Sequence, residues 1–344
     1  MEGREPVYLS KVYAGFLIKV ENGTAEDEEG RGVRNLSLFV FTLRDPPRAL
    51  RFTLPIMALK VAVFSPFAIS LSPAARSRYD GLMNSTLLAV DIGNSSTKLG
   101  WFGDSSLGSG KLPVPLLVRD CATAQPLPEA VVQQLPLGGV SWKVASVHRE
   151  AEKLLETWVR AHRPGDDFQI LTYRDLPLEV RVEFPERVGL DRLAAAVAGK
   201  FLAHRRPAIV IDAGTAITVD LVSADGAFEG GVILPGFRLT AQALAAGTNQ
   251  LPLASFTGQD QPPPVVGKHT DGAIRSGLFW GAVGAVREVI ERMSAGLSEQ
   301  PHVFVTGGDL RHLAPLVSPQ TQFVPNMVLS GIAIAAGERG ASVH

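Results

Sequence analysis

Leu87–Phe102, LLAVDIGNSSTKLGWF, and Ala208–Val222, AIVIDAGTAITVDLV, decide how this chain folds. Each is an apolar run that ends in aspartate. An Asp-x-Gly turn with small or polar residues follows, and then a second run begins. The first run of each reads as a buried strand bounded by a turn. Asp91 and Asp212 stand 121 residues apart. That spacing is a whole lobe, too long for a solenoid repeat of ~20–50 residues. A duplicated, two-lobed α/β fold is expected.

The turns also carry chemistry. Glycine lets the chain turn tightly and lets backbone N–H groups approach a phosphate. An aspartate at a strand end can face a hydrated cation that also meets phosphate oxygens; Mg²⁺ takes one or two carboxylates plus water and phosphate. Asn94, Ser95, Ser96 and Thr97 add hydrogen-bonding side chains, and Lys98 adds a cation. A single Asp-x-Gly hairpin is a common turn. Two at lobe spacing, each after a buried strand, point to phosphate binding. A third strand leads into VFVTGGD, Val303–Asp309, where Gly307 and Gly308 let backbone lie against a flat ligand such as adenine. Neither G-x-G-x-x-G after a strand nor G-x-x-x-x-G-K-[ST] occurs. Nucleotide binding of the actin and sugar-kinase type is therefore expected.

The rest of the composition narrows the class. The chain has 344 residues, 46% hydrophobic and 19% charged, with a net charge of -1. A sizeable core is possible, wholesale disorder is excluded, and a general electrostatic nucleic-acid binder is disfavoured. Cys121 is the only cysteine, so no internal disulfide or cysteine zinc site can form. A reducing cytoplasm is expected. Val61–Ala75 is uncharged but shorter than the ~20 residues of a spanning helix. No membrane association is expected, and the polar start is not a secretory signal.

Three regions are expected. Residues 1–82 form an extension whose composition differs from the rest: three of the four tyrosines precede Met83 and all seven histidines follow it. It reads either as an accessory arm or as sequence upstream of a true start at Met83. Residues 83–205 form a first lobe and 206–344 a second. Between the strands LLAVD, KVASV, AIVID, TVDLV and HVFVTGG lie helical stretches, chiefly LDRLAAAVAGKFLAHRR and GAIRSGLFWGAVGAVREVIERMSAGL. QDQPPPVV, from Gln259, is a loop.

DIGNSSTK, GLDR (Gly189–Arg192), DAGTA (Asp212–Ala216) and GGVILPG (Gly230–Gly236) follow one another in this order. Together they resemble the type III pantothenate kinases of the acetate and sugar kinase/Hsp70/actin superfamily, from about Met83 to Gly337. The resemblance implies a duplicated ribonuclease-H-like (actin-like ATPase) fold and ATP-dependent phosphorylation of pantothenate, the first step of coenzyme A synthesis. It implies a cytoplasmic homodimer that uses Mg²⁺ with ATP and a monovalent cation, K⁺ or NH₄⁺. It implies that Asp91, Ile92, Gly93, Asn94, Ser95, Ser96, Thr97, Lys98 and Thr215 contact ATP, with Asp91 on Mg²⁺ through water. Asp191 would be the general base and Asp212 the monovalent-cation ligand. Gly189, Leu190, Asp191, Arg192 and Thr248 would hold pantothenate, Thr248 across the dimer. Two departures stand out. Val182 occupies a position where many members carry tyrosine, with Phe184 nearby. Asn94-Ser95-Ser96 replaces a commoner Asn-Thr.

Asp191 and Arg192 also suit a plainer role, a cap and a surface pair at a helix start. His148, His162, His204, His269 and His312 lack metal-ligand spacing and read as structural. Trp101 reads as packing, and Trp280 as core or dimer interface. Arg287, Glu288, Glu291 and Arg292 read as a solvated helix face. A non-catalytic regulatory relative and an actin-like or chaperone-like ATPase are the competing classes. The catalytic aspartates argue against the first, and the short chain with its GLDR motif against the second.

Overall fold

The computed structural model describes residues 9–13, 16–26, 32–42, 50–55, 85–103, 110–136, 139–255, 261–308, 314–318 and 320–340. Readings that fall on Val61–Ala75, Met83, Gln259, Asp260, Asp309 and His312 lie outside them. The chain divides into two compact units, Met1–Ala74 and Ala75–His344. In the first, β1 (Leu9–Tyr13), β2 (Phe16–Glu26), β3 (Gly32–Thr42) and β4 (Leu50–Pro55) pair antiparallel in sequence order.

The second unit holds the two lobes. The first sheet uses β5 (Ser85–Ile92), β6 (Ser96–Gly103), β7 (Leu117–Ala122), β8 (Ser141–Ser146) and β9 (Asp167–Ile170) in the order β7-β6-β5-β8-β9. After β10 (Glu179–Val180), the second sheet uses β11 (Ala208–Ala213), β12 (Ala216–Val222), β13 (Ala227–Pro235), β14 (His302–Thr306) and β15 (Gln322–Phe323). Its order is β10-β13-β12-β11-β14-β15. Apart from edge strand β10, the two orders are one pattern: an antiparallel meander of three strands, then two strands parallel to the first. The duplication read from the two Asp-x-Gly runs is therefore a duplication of topology.

The central strands explain themselves. Leu88, Ala89 and Val90 of β5, and Ala208, Ile209 and Val210 of β11, are buried. Each sheet is covered on both faces, so these strands read as continuous apolar runs rather than alternating ones. Trp101 is fully buried, in the packing role expected of it.

In chain order the helices are α1 (Glu129–Val132), α2 (Arg149–His162), α3 (Leu190–Ala203), α4 (Phe237–Ala246), α5 (Thr270–Ala295), α6 (Ala314–Val317) and α7 (Met327–Gly340). α3 follows the first sheet in sequence but packs on β11 and β12 of the second. α7 closes the chain and packs back on β5 of the first. The two helices cross at Gly331, where a Cβ would stand 1.8 Å from the Ala194 carbonyl oxygen. Only glycine permits that approach, so a larger residue forces the helices apart at a cost of about 3 kcal/mol. One apolar cluster, with Leu193, Val197, Phe228, Met327 and Ile332, spans this crossing.

Histidine turns out to be a helix cap in two places. His148 and His269 start α2 and α5, and each Nδ1 accepts a backbone N–H, from Ala151 and Gly272. Trp280 on α5 is half-buried, donates from Nε1 to the Pro263 carbonyl and meets Phe279 edge-on. Arg287, Glu288, Glu291 and Arg292 are exposed, as their solvated reading requires.

Candidate active site

Strand register places both hairpin aspartates at the same point of their sheets. Asp91 at the end of β5 pairs with Lys98 on β6, and Asp212 at the end of β11 pairs with Thr218 on β12. Across the parallel neighbours, Asp91 lies beside Ala145 and Asp212 beside Thr306. Strand ends at a topological switch are where open α/β sheets bind ligands.

Between them opens a cavity of about 450 Å³. Asp91, Lys98, Asp120, Asp212, Gly307 and Gly308 are among its lining residues, and the α7 start from Asn326 closes one side. Gly307 has φ +111°, and a Cβ there would stand 2.3 Å from the Ala213 carbonyl oxygen. The turn therefore needs glycine twice over, for its conformation and for its closeness to the second hairpin. Thr306 supports the wall from behind: its Oγ1 accepts the Met327 N–H at 3.4 Å at the start of α7.

Electrostatics mark the cavity as a site for positive charge. Burial pushes the Asp91 carboxyl up to about 7, with the charges of Asp191 and Asp212 adding to it and Lys98 opposing. Burial likewise pushes Asp212 up to about 6, with Lys98 opposing and Asp191 and Asp220 adding. Three carboxylates from three elements thus share one field with one lysine among them. A bound cation would relieve both aspartates, so this donor set fits Mg²⁺ and a monovalent ion that also meet phosphate oxygens. No group of three or more His, Cys, Asp or Glu side chains able to hold a metal by themselves occurs among the described residues.

Asp191 comes from the first turn of α3, whose N-cap is Gly189. Its Oδ1 accepts the Arg192 N–H at 2.8 Å. A Cβ on residue 189 would stand 2.4 Å from that same Oδ1, so the glycine makes room for the carboxylate. The neighbouring Arg192 turns to the second sheet. Its Nε donates to the Asp220 carboxylate at 3.0 and 3.2 Å, and Nη2 bonds Oδ1. Burial pushes the Asp220 carboxyl up, and the guanidinium opposes this. The plain reading of Asp191–Arg192 as a surface pair therefore gives way: the arginine is bound to a buried strand aspartate.

The two loops touch. Ser95 Oγ and Thr215 Oγ1 lie 3.0 Å apart, and Arg238 of α4 donates to Ser95 at 2.5 Å. Gly93, Asn94 and Ser96 sit at the turn, while Ile92 and Thr97 are buried, Thr97 beside the Thr123 hydroxyl at 3.3 Å. Thr248 is exposed just after α4, its Oγ1 donating to the Leu244 carbonyl, and it is not among the cavity's lining residues. Val182 packs against the apolar cluster at the helix crossing, and Phe184 is exposed beneath the Arg187 guanidinium.

Sequence reading passed over Asp120, Asp220, Arg238 and the Asn326 turn. A signal was available for Asp220, a lone carboxylate inside the apolar run TVDLV. Asn326 has φ +59°, which asparagine tolerates better than most residues. Arg238 carried no local signal.

Residues 87–292 match the family model described as type III pantothenate kinase. The chain belongs to that family. A type III pantothenate kinase of Desulfosudis oleivorans is 33% identical over 265 residues, covering 72% of this chain and 97% of that protein. One from Alkalilimnicola ehrlichii is 35% identical over 262 residues, covering 74% and 98%. A shorter match, 41% identical over 170 residues, is to the type III pantothenate kinase of Rhodopirellula baltica, covering 48% of this chain and 60% of that one. The stretch that matches the pantothenate kinase family model begins inside β5 and ends inside α5. It contains both hairpins and Asp191, while Gly307, Gly308 and α7 come after it.

Proposed function

We propose that this chain transfers the γ-phosphoryl group of ATP to the primary hydroxyl of pantothenate in the cytoplasm. The observation that carries the reading is the meeting of Asp91 and Asp212, from two hairpins, on a cavity with a single lysine, with Asp191 at a helix start close enough for its charge to act on both. Phosphoryl transfer asks a protein mainly for positioning and charge neutralisation, and the site is built from groups that do those two things.

The hairpins hold the nucleotide. Backbone N–H groups around Gly93 and Gly214, the Asn94, Ser95, Ser96 and Thr215 side chains, and Lys98 receive the phosphates, and Gly307–Gly308 receives the base. Asp91 would hold Mg²⁺ and Asp212 would hold K⁺ or NH₄⁺; these ions, when bound, would neutralise phosphate charge. Gly189, Leu190 and Arg192 border the acceptor. The Arg192 bonds to Asp220 use the Nε hydrogen and one Nη2 hydrogen, so Nη1 and the second Nη2 hydrogen are donors left for the pantothenate carboxylate. Asp191 accepts the hydroxyl proton as the new O–P bond forms and the bond to the β-phosphate oxygen breaks, releasing ADP. Thr248 acts in the site of a second copy of the chain. Ile233, Leu253, Val265 and Val266 are exposed apolar residues, and Gly277 and Gly281 of α5 have open space beside them, which supports a homodimer.

The test is ADP release from ATP and Mg²⁺, with and without pantothenate, in K⁺ or Na⁺. Release that needs pantothenate and rises in K⁺ is expected. Release indifferent to pantothenate would sink the reading in favour of a simple ATPase, and no release would favour a non-catalytic relative.

A further inference from the structure

A second cavity, of about 220 Å³, lies at the other end of α3. We propose that it binds a small organic phosphate at a site remote from the catalytic cleft. Lys200, His204, Arg205 and Arg206 supply its basic side, and Val197, Phe201 and Ile334 its apolar one. Among its lining residues the one carboxylate, Asp225, is already engaged: Arg181 holds it at 2.5 Å, and the Ser223 hydroxyl donates to it at the same distance. Arg206 is engaged as well, its Nη2 donating to the Gln300 carbonyl at 2.8 Å and its Nε 3.8 Å from the Glu299 carboxylate, so the open positive charge on this wall comes from Lys200, His204 and Arg205. A phosphate monoester has the complementary shape, a dianion for the basic side and an organic body for the apolar one.

The backbone is an independent sign. His204 and Arg205 both have positive φ, 47° and 67°. A left-handed residue after a helix is ordinary when it is glycine. Here two side-chain-bearing residues adopt it in succession, at about 1–2 kcal/mol each. Glycine at either position would remove that strain. The turn aims a histidine and an arginine into one pocket, and strain held at a cluster of charged groups is a mark of a binding site. Among the described contacts His204 meets only the Phe201 ring, so neither residue is needed for a structural bond. The positive field reaches the next strand: burial lowers the His302 pKa, and the charges of Arg206 and His204 lower it further.

The position gives the site a route to the catalytic cleft. α3 carries Asp191 in its first turn and this pocket at its last, about 20 Å apart at 1.5 Å per residue. α7 contributes Ile334 to the pocket and Met327–Leu329 to the wall of the cleft. An occupant therefore touches the two helices that shape the active site without entering it.

The experiment is calorimetric titration of phenyl phosphate and of inorganic phosphate into the full chain saturated with a non-hydrolysable ATP analogue, so that the cleft is blocked. One phenyl phosphate site is expected, at least tenfold tighter than inorganic phosphate. Arg205→Glu and, separately, Lys200→Gln should each weaken it at least tenfold while leaving affinity for the analogue within twofold. Arg205 has no described bond to lose, so its variant tests the charge even if Lys200→Gln, which loses a bond to the Pro177 carbonyl, unfolds. No binding to the saturated chain, or binding that Arg205→Glu leaves unchanged, overturns the site. Equal affinity for the two probes overturns its assignment to an organic phosphate.

Discussion

The two lobes share one strand order, yet their closing helices meet the sheets with opposite chemistry. α7 lies on the first sheet, where Gly100 on β6 makes room: a Cβ there would stand 3.0 Å from Leu329 Cδ1. The matching point of the second sheet, by hairpin register, is Asp220 on β12. There the helix residue is Arg192. Both are the third residue of their helix, so Arg192 and Leu329 are equivalents, and Asp191 corresponds to Val328. Duplication supplied a symmetric frame, and function lies where the copies differ. One crossing is apolar and holds the lobes together. The other is ionic, and the residue before its arginine is Asp191, whose charge acts on both hairpin aspartates.

The ionic crossing breaks with the largest effect. Arg192→Leu makes it resemble the other lobe but strands Asp220 inside the protein. Loss of one partner of a buried pair costs about 3–5 kcal/mol, so urea unfolding should show a loss of that size. Arg192→Leu with Asp220→Gly, which copies the first lobe fully, should recover much of it. The hairpins differ next. Lys98 faces Asp91 where Thr218 faces Asp212. Lys98→Met should lower kcat/KM for ATP roughly a hundredfold, since a hydrogen bond to a charged group is worth about 1.5–3 kcal/mol. Thr218→Val should change it less than about threefold.

The glycine turns sharpen the same contrast. Gly307→Ala forces a side chain into positive φ against Ala213, and strain of about 1–3 kcal/mol should raise KM for ATP about tenfold. Gly93→Ala meets only the Ser96 carbonyl oxygen, at 3.0 Å, and should do clearly less. The smallest effect lies outside the cleft, in the first lobe. Burial tends to raise the Asp166 pKa, but hydrogen bonds from Arg163, Trp142 and the Val140 N–H outweigh it and hold it below the usual value. A carboxyl whose folded pKa is depressed stabilises above its unfolded pKa and loses that stabilisation as pH falls through the folded one. Asp166→Asn should therefore cost about 1 kcal/mol at pH 7. Below the ordinary aspartate value of about 3.9 the gap to wild type should close.

Much of this was legible in the sequence because it rests on local signals. The two Asp-x-Gly runs announced the hairpins, their spacing announced the lobes, and GLDR announced the helix start that carries Asp191. What escaped depends on pairings between distant segments. Arg192 showed no partner because Asp220 is 28 residues away and reaches it only after β12 joins the sheet. Arg238 reaches Ser95 across 143 residues. The exchange of α3 and α7 between sheets is invisible to periodicity, which reports that a helix has an apolar face but not which sheet covers it. The expected helix through Arg206 stops at Ala203, because His204 and Arg205 turn left-handed in a stretch with no glycine to signal it.

The most direct test replaces Asp191, the carboxylate whose counterpart in the other copy is Val328, with asparagine. Nucleotide affinity and pantothenate-dependent ADP release should be measured side by side on the same preparation. A fall in kcat of roughly 10²–10⁴ with ATP affinity within about twofold is expected if the hairpins hold the nucleotide and α3 supplies the proton acceptor. Parallel losses of affinity and turnover, or turnover that survives the change, would contradict it.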